Sequence, residues 1–226
     1  KPADGNIGLL FLWEARDIWN YSDFRGLGYL LSDNGYQYDV IFGAEEFTWW
    51  GNLNAIPAPD HPLLLSDLTK HPGIVVPQLD DITPNHAEVL LEYVKQGGQL
   101  VIFTTPDHIN NLTYHRGQTE PAVAELLGYL RTGDVQVEQG RIITVNELWG
   151  TAYTVDPQPS KRQPLLDLLT SVNILPEVRM SPANFVSAFM HQGPDSLTVH
   201  FVNYNYNPDS DSVDPVKPLD VEISLP

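Results

Sequence analysis

The stretch TTPDH (104–108) carries the residue types a reactive corner would use: two hydroxyls, a carboxylate and an imidazole, with His115 seven residues on. It follows the apolar run QLVIF (99–103), so Thr104, Thr105, Asp107 and His108 stand at the exit of a strand, where α/β folds usually bind ligands. A serine-hydrolase reading fails because no G-x-S-x-G occurs in the chain. A threonine nucleophile would need a paired base. The competing reading is a hydrogen-bonded turn that caps the next segment.

Three other stretches hold candidate chemistry. WEARDIW (13–19) sets Glu14, Arg16 and Asp17 between Trp13 and Trp19, just past the first apolar run. Carboxylates hold sugar hydroxyls and indoles stack on pyranose faces, but acid/base glycoside cleavage needs two carboxyl groups about 5–9 Å apart. An Arg16–carboxylate network or a subunit contact is the alternative. Trp49 and Trp50, beside Glu45 and Glu46, lie in a long aperiodic segment, where adjacent indoles suit a ligand surface, an interface or a lid packed on the core. NYNYNPDSDSVD (203–214) spaces Asn205, Asn207, Asp209 and Asp211 at alternate positions, the hard oxygen ligands that Ca²⁺ prefers. The EF-hand glycine and terminal glutamate are missing, and such runs are ordinary turn material; Asn207, Asp209 and Asp211 remain the candidate Ca²⁺ ligands. The seven histidines form no H-E-x-x-H pair, and no phosphate-binding glycine loop occurs.

These residues depend on the elements around them. NIGLLFLW (6–13), YDVIF (38–42), GIVVP (73–77) and QLVIF (99–103) are continuous apolar runs, the signature of strands buried on both faces of a parallel sheet. A helix over 22–36, with Ser22 or Asp23 as its cap and Asn34-Gly35 as its stop, completes a βαβ unit with the first two strands. The spacing predicts a short helix at 63–71 and a long one at 83–98, opened by Thr83-Pro84 and closed by Gly97-Gly98. Helices are expected again at 120–130 and 162–172, with a hairpin over 135–145. From about residue 176 the pattern turns to alternating strands, 184–207 and 219–226. The expected organisation is therefore an α/β body over 1–175 and an antiparallel β extension over 176–226. That extension is too small to stand alone. It must pack on the body, pair with another chain or continue into a longer protein, and the last is the reading adopted.

The 226 residues can bury a proper core, and 42% hydrophobic content belongs to a folded chain. Twelve basic against 29 acidic residues give a net charge of −17, which repels polyanions; nucleic acid and anionic membranes are excluded as partners. No apolar run approaches the roughly 20 residues of a membrane span. The absence of cysteine removes disulfides, thiolate metal sites and thiol nucleophiles. NYS at Asn20 and NLT at Asn111 match the glycosylation triplet.

IVVPQLDDITPNHAEVLLEYVKQGGQLVIF (74–103) resembles the class I glutamine-amidotransferase-like fold, in the form found as the trimerisation domain of glycoside hydrolase family 42 β-galactosidases. The resemblance rests on a strand ending at Pro77 and a helix closing on Gly97-Gly98 before the next strand. The first strand with its helix (7–34) and EQGRIITV (138–145) fit the same layout, and LTVHFVNYNYN (197–207) looks like the start of the β-sandwich that often succeeds this module. It implies a three-layer, flavodoxin-like parallel sheet with a short antiparallel extension. Active amidotransferases carry a cysteine in a glycine-flanked elbow; here that turn reads TTPDH, so thiol-dependent glutaminase chemistry is excluded. The expected function is a non-catalytic module of a larger carbohydrate-active or cell-surface protein, extracellular rather than cytoplasmic, serving oligomerisation or domain scaffolding. Its partners would be other domains of the parent protein or copies of itself. The alternative is a carbohydrate-binding or glycoside-processing domain, with a glycan held at the strand ends by Glu14, Asp17, Trp49, Trp50, Thr105, Asp107 and His108. No cofactor is expected apart from the candidate Ca²⁺.

Overall fold

The computed structural model describes residues 5–12, 22–44, 61–79, 81–115, 120–181 and 185–224. Five strands run parallel: β1 (Ile7–Leu12), β2 (Tyr38–Gly43), β3 (Gly73–Val76), β4 (Gln99–Phe103) and β6 (Gly140–Val145), in the order β2-β1-β3-β4-β6. This is the flavodoxin-like doubly wound order, whose switch point lies between β1 and β3. The edge strand β5 (Asp134–Val137) pairs antiparallel with β6 through a turn at Glu138, whose φ is +50°. The hairpin expected over 135–145 thus also supplies the fifth parallel strand.

Each apolar run alternates its side chains between two helical layers, which is why no polar face interrupts it. Leu10, Ile74, Val76, Leu100 and Ile102 pack under α2 (Leu65–Leu68), α3 (Pro84–Lys95), α4 (Pro106–His115) and α5 (Pro121–Thr132). Ile7, Leu9, Val75, Val101 and Phe103 pack on α1 (Ser22–Asp33), α6 (Trp149–Val155) and α7 (Gln163–Ser171). The architecture is α/β in three layers. α3 begins as its sequence dictates: the Thr83 hydroxyl accepts from His86 N at 3.1 Å with Pro84 in the first turn. Its stop uses Gly97 at φ +107° and the bond from Gly98 N to Tyr93 O.

Several elements lie outside the sequence expectations, among them α4, α6 and β7 (Val178–Ser181). α6 is fixed by close approach: a Cβ on Gly26 of α1 would fall 1.8 Å from the Gly150 carbonyl. Gly26 and Gly150 let the two helix backbones touch, a requirement no local pattern reveals.

The C-terminal strands are β7, β8 (Val186–Gln192), β9 (Leu197–Asn203), β10 (Tyr206–Asn207), β11 (Ser212–Val213) and β12 (Asp220–Ile223). They form three two-stranded antiparallel sheets, β8-β9, β7-β12 and β10-β11. Val178, Ala188 and Met190 make their small shared core. The extension packs on the body. The Gln37 amide bonds the free edge of β8, donating to Ala188 O at 3.2 Å and accepting from Met190 N at 2.9 Å. The Glu177 carboxylate accepts from the backbone of Asn6 and Gln37.

A buried polar network completes this junction. Arg162, 2% exposed, donates to the Tyr153 hydroxyl, to Asp33 O and to the Tyr204 hydroxyl, and its guanidinium lies 3.5 Å from the Asp33 carboxylate. The Asp33 carboxylate also accepts from Tyr153 and from Ser187 of β8. One ion pair therefore ties α1, α6 and α7 to the extension, with its charges compensated.

Candidate functional site

The carboxyl ends of the strands, with the switch point between β1 and β3, are where the fold would place a ligand. Of the sequence-derived candidates, Glu14, Asp17, Trp49 and Trp50 lie outside the described residues, as do Trp13, Arg16, Trp19, Glu45 and Glu46. Thr105, Asp107 and His108 lie at the exit of β4, as expected.

The β4–α4 turn is a helix cap. Thr105 Oγ1 accepts from His108 N at 3.3 Å, and Thr105 O accepts from Ile109 N at 3.0 Å, which makes Thr105 the residue that opens α4. Thr104 is fully buried; its hydroxyl donates to Leu79 O at 2.9 Å and so links the exits of β3 and β4. A nucleophile elbow holds its reactive residue in a strained turn. Among the described residues, positive φ at a non-glycine position occurs at Gln78, Glu138, Asn173 and Asp211, and neither Thr104 nor Thr105 is among them. The turn that sequence spacing singled out has capping geometry in place of a reactive corner. Asp107 is exposed in the first turn of α4, where a carboxylate complements the helix dipole.

The strained residue at this edge is Gln78, at φ +39° just past β3. Beside it lies a carboxylate that sequence reading took only as a cap for its own helix. Asp23 is fully buried and turns away from that role: Oδ2 accepts from Gln78 N at 3.2 Å and Oδ1 from Thr151 N at 3.0 Å. It staples the β1–α1 crossover to the end of β3 and the first turn of α6. Burial pushes its pKa up from 3.8 to about 6, against the opposing pull of the backbone N–H groups. The signal that could have found it is a carboxylate in the first turn after a buried strand; its partners are 55 and 128 residues distant.

The candidate calcium segment closes the β10–β11 hairpin. Asn207 Oδ1 accepts from Asp209 N, Asn207 Nδ2 donates to Asp214, and Asp211 accepts from the Tyr206 hydroxyl. Asn207, Asp209 and Asp211 thus share one turn, with these groups bonded within it. No cluster of three or more His, Asp or Glu side chains arranged for a metal occurs among the described residues. No helix among them is long and apolar enough to cross a membrane.

A cavity of about 460 Å³ lies between α7, β7 and the end of α1. Its lining includes Asp33, Arg162, Asp167 and Arg179, and none of the strand-exit candidates Thr105, Asp107 and His108.

No protein-family model and no curated protein matches the chain. Solved structures do. A catalytic variant of Gan42B, a GH42 β-galactosidase from G. stearothermophilus, superposes with a TM-score of 0.57 at 14% identity, over 90% of this chain and 35% of that one. The β-galactosidase of Bacillus circulans sp. alkalophilus gives 0.56 at 13%, over 88% and 35%. Alpha-L-fucosidase isoenzyme 2 from Paenibacillus thiaminolyticus gives 0.58 at 11%, over 100% and 42%. The chain shares its fold with a part of each of these proteins. It spans 35–42% of the length of these three proteins, and the superposed region takes in 88–100% of its own.

Proposed function

We infer that the chain is a non-catalytic, amidotransferase-like domain of a carbohydrate-processing protein, and that it works by assembly. It docks on another domain of its parent polypeptide or on a second copy. The observation that carries this reading is the set of exposed apolar side chains and the unprotected edge strand of the extension. Phe189, Phe201, Val202, Val213, Val221 and Ile223 are each 39–52% exposed, all within 35 residues of chain. β9 reads LTVHFVN and pairs on one side with β8, and nothing in it discourages pairing on the other. Edge strands left to face water are normally short, charged or interrupted by proline. This one is seven residues long and carries no Asp, Glu, Lys, Arg or Pro. Exposed apolar side chains on both faces of the β8-β9 pair, Phe189 and Val202 on one and Phe201 on the other, together with this unprotected edge, suit pairing with a further chain or domain. The capping geometry at Thr105 and the absence of cysteine support a role without covalent catalysis. The fold's occurrence in a β-galactosidase and a fucosidase supports the carbohydrate setting.

The test is sedimentation velocity over a wide concentration range, with amide hydrogen exchange on the isolated chain and on the full parent polypeptide. Association or protection across 186–203 is expected, and Phe201→Ser weakens it. A chain that stays monomeric, and exchanges across β9 equally fast alone and in its parent, refutes the assembly role. Aryl-glycoside hydrolysis by the isolated chain, lost in Asp107→Ala, would replace it with a catalytic one.

A further inference from the structure

We propose that the cavity between α7 and β7 is a binding site for a neutral saccharide. The volume, about 460 Å³, lies within the range of small-molecule pockets and exceeds what one pyranose ring needs. It sits where the body meets the extension, so its two walls are held together by the Arg162 network.

The charges at this site come in matched pairs. At its base Arg162 faces Asp33 at 3.5 Å, both nearly inaccessible to solvent. Arg179 and Asp167 add one charge of each sign to the lining. An anion gains nothing from a base whose cation is already neutralised, and the surrounding charge of −17 opposes it further. A cation gains no more, since the Asp33 carboxylate is already neutralised by Arg162 and Asp167 is offset by Arg179 in the same lining. A neutral ligand with many hydroxyls needs no unpaired charge.

The lining also keeps hydrogen-bonding capacity in reserve. A guanidinium offers five N–H donors. Arg179 spends its charge on Glu222 at 3.8 Å, beyond hydrogen-bond length, across an exposed pair. Asp167 accepts from Gln163 Nε2 through Oδ1 at 2.7 Å, and Oδ2 keeps its lone pairs. A forked donor and a carboxylate oxygen on one cavity match adjacent sugar hydroxyls, which both donate and accept. Leu166, Pro176 and Met180 supply apolar wall for the C–H face of the ring. Among the described residues no aromatic side chain lines the cavity, so without stacking the affinity is on the order of millimolar.

This site goes beyond the assembly role, since the exposed apolar side chains of the extension and the cavity lining are different residues. The experiment is a ¹⁵N–¹H NMR titration of the chain with D-galactose and L-fucose, with D-galacturonate as the charged counterpart, into the tens of millimolar. Saturable shifts at 163–170 and 179–181 are expected for a neutral sugar, weakened at least about tenfold in Asp167→Ala and Arg179→Ala, each checked for folding by circular dichroism. Absence of saturable shifts, shifts centred on 105–108, or unchanged affinity in both variants overturns the site. Preference for galacturonate over both neutral sugars also overturns it, by showing an anion site. None of these outcomes bears on sedimentation or on exchange at β9, so the two readings fail separately.

Discussion

Asp23 makes the chain more stable in mild acid, and the Asp23→Asn variant isolates the effect. In the unfolded chain its carboxyl titrates near 3.8; in the folded protein burial raises this to about 6. The folded state therefore binds the proton more tightly, and between these two values it carries more protons than the unfolded state. Stability then falls as pH rises through this window. The contribution is fully present below the unfolded value of 3.8 and is gone above the folded value of about 6. A shift of about two pH units corresponds to about 3 kcal/mol. For a chain of this size that is about 6–12 °C in Tm.

Asp23→Asn has no titrating group there. Its single amide oxygen can satisfy Gln78 N or Thr151 N but not both, a cost that does not itself vary with pH, so the pH-dependent part of the difference between the two proteins belongs to the wild-type carboxyl. Glu177, also pushed up by burial, acts in the same direction, with stability lost as pH rises through its raised value. The exposed Asp134 is held below its ordinary value by Arg141 and acts the other way, losing its contribution as pH falls through the lowered value. Both are common to the two proteins and cancel in the difference. Urea denaturation at several pH values from about 3.5 to about 7 gives the two stability profiles. The wild type should lose about 3 kcal/mol relative to the variant across the window. Parallel profiles would show that Asp23 is solvated or charged in the folded state and that the staple is wrong.

Two further outcomes come from the packing. Arg162→Leu leaves Asp33 as an unpaired buried charge and should cost about 3–5 kcal/mol in denaturant melts, with proteolysis of residues 185–224 accelerated; adding Asp33→Asn should restore part of the loss. Gly26→Ala drives a Cβ to 1.8 Å from the Gly150 carbonyl, backbone against backbone, and should lower Tm by several degrees, whereas Gly128→Ala, whose Cβ meets nothing within 4 Å, should leave it unchanged or raise it.

The parallel sheet was legible because burial on both faces leaves no room for polar residues, so each strand is written as an unbroken apolar run. α3 was legible for a local reason, since Thr83, Pro84 and Gly97 each do their work within one turn of their own position. α4 escaped because TTPDH has the residue types of a reactive corner, although its cap is local, whereas α6 and β7 are specified at long range. α6 exists because Gly150 meets Gly26, and β7 because Val178 pairs with Ile223. Neither contact has a periodicity to read. The same division explains the functional candidates. TTPDH was conspicuous because hydroxyl, carboxylate and imidazole stand side by side, yet adjacency along a chain that enters a helix is what a cap requires, and a cap it is. The groups with unusual environments are Asp23, whose partners lie 55 and 128 residues away, and Arg162, which spans 129 residues to Asp33 O. A polar group can be buried only where the fold delivers partners to it. The partners of these two come from other elements, so their burial became visible only once the chain was folded.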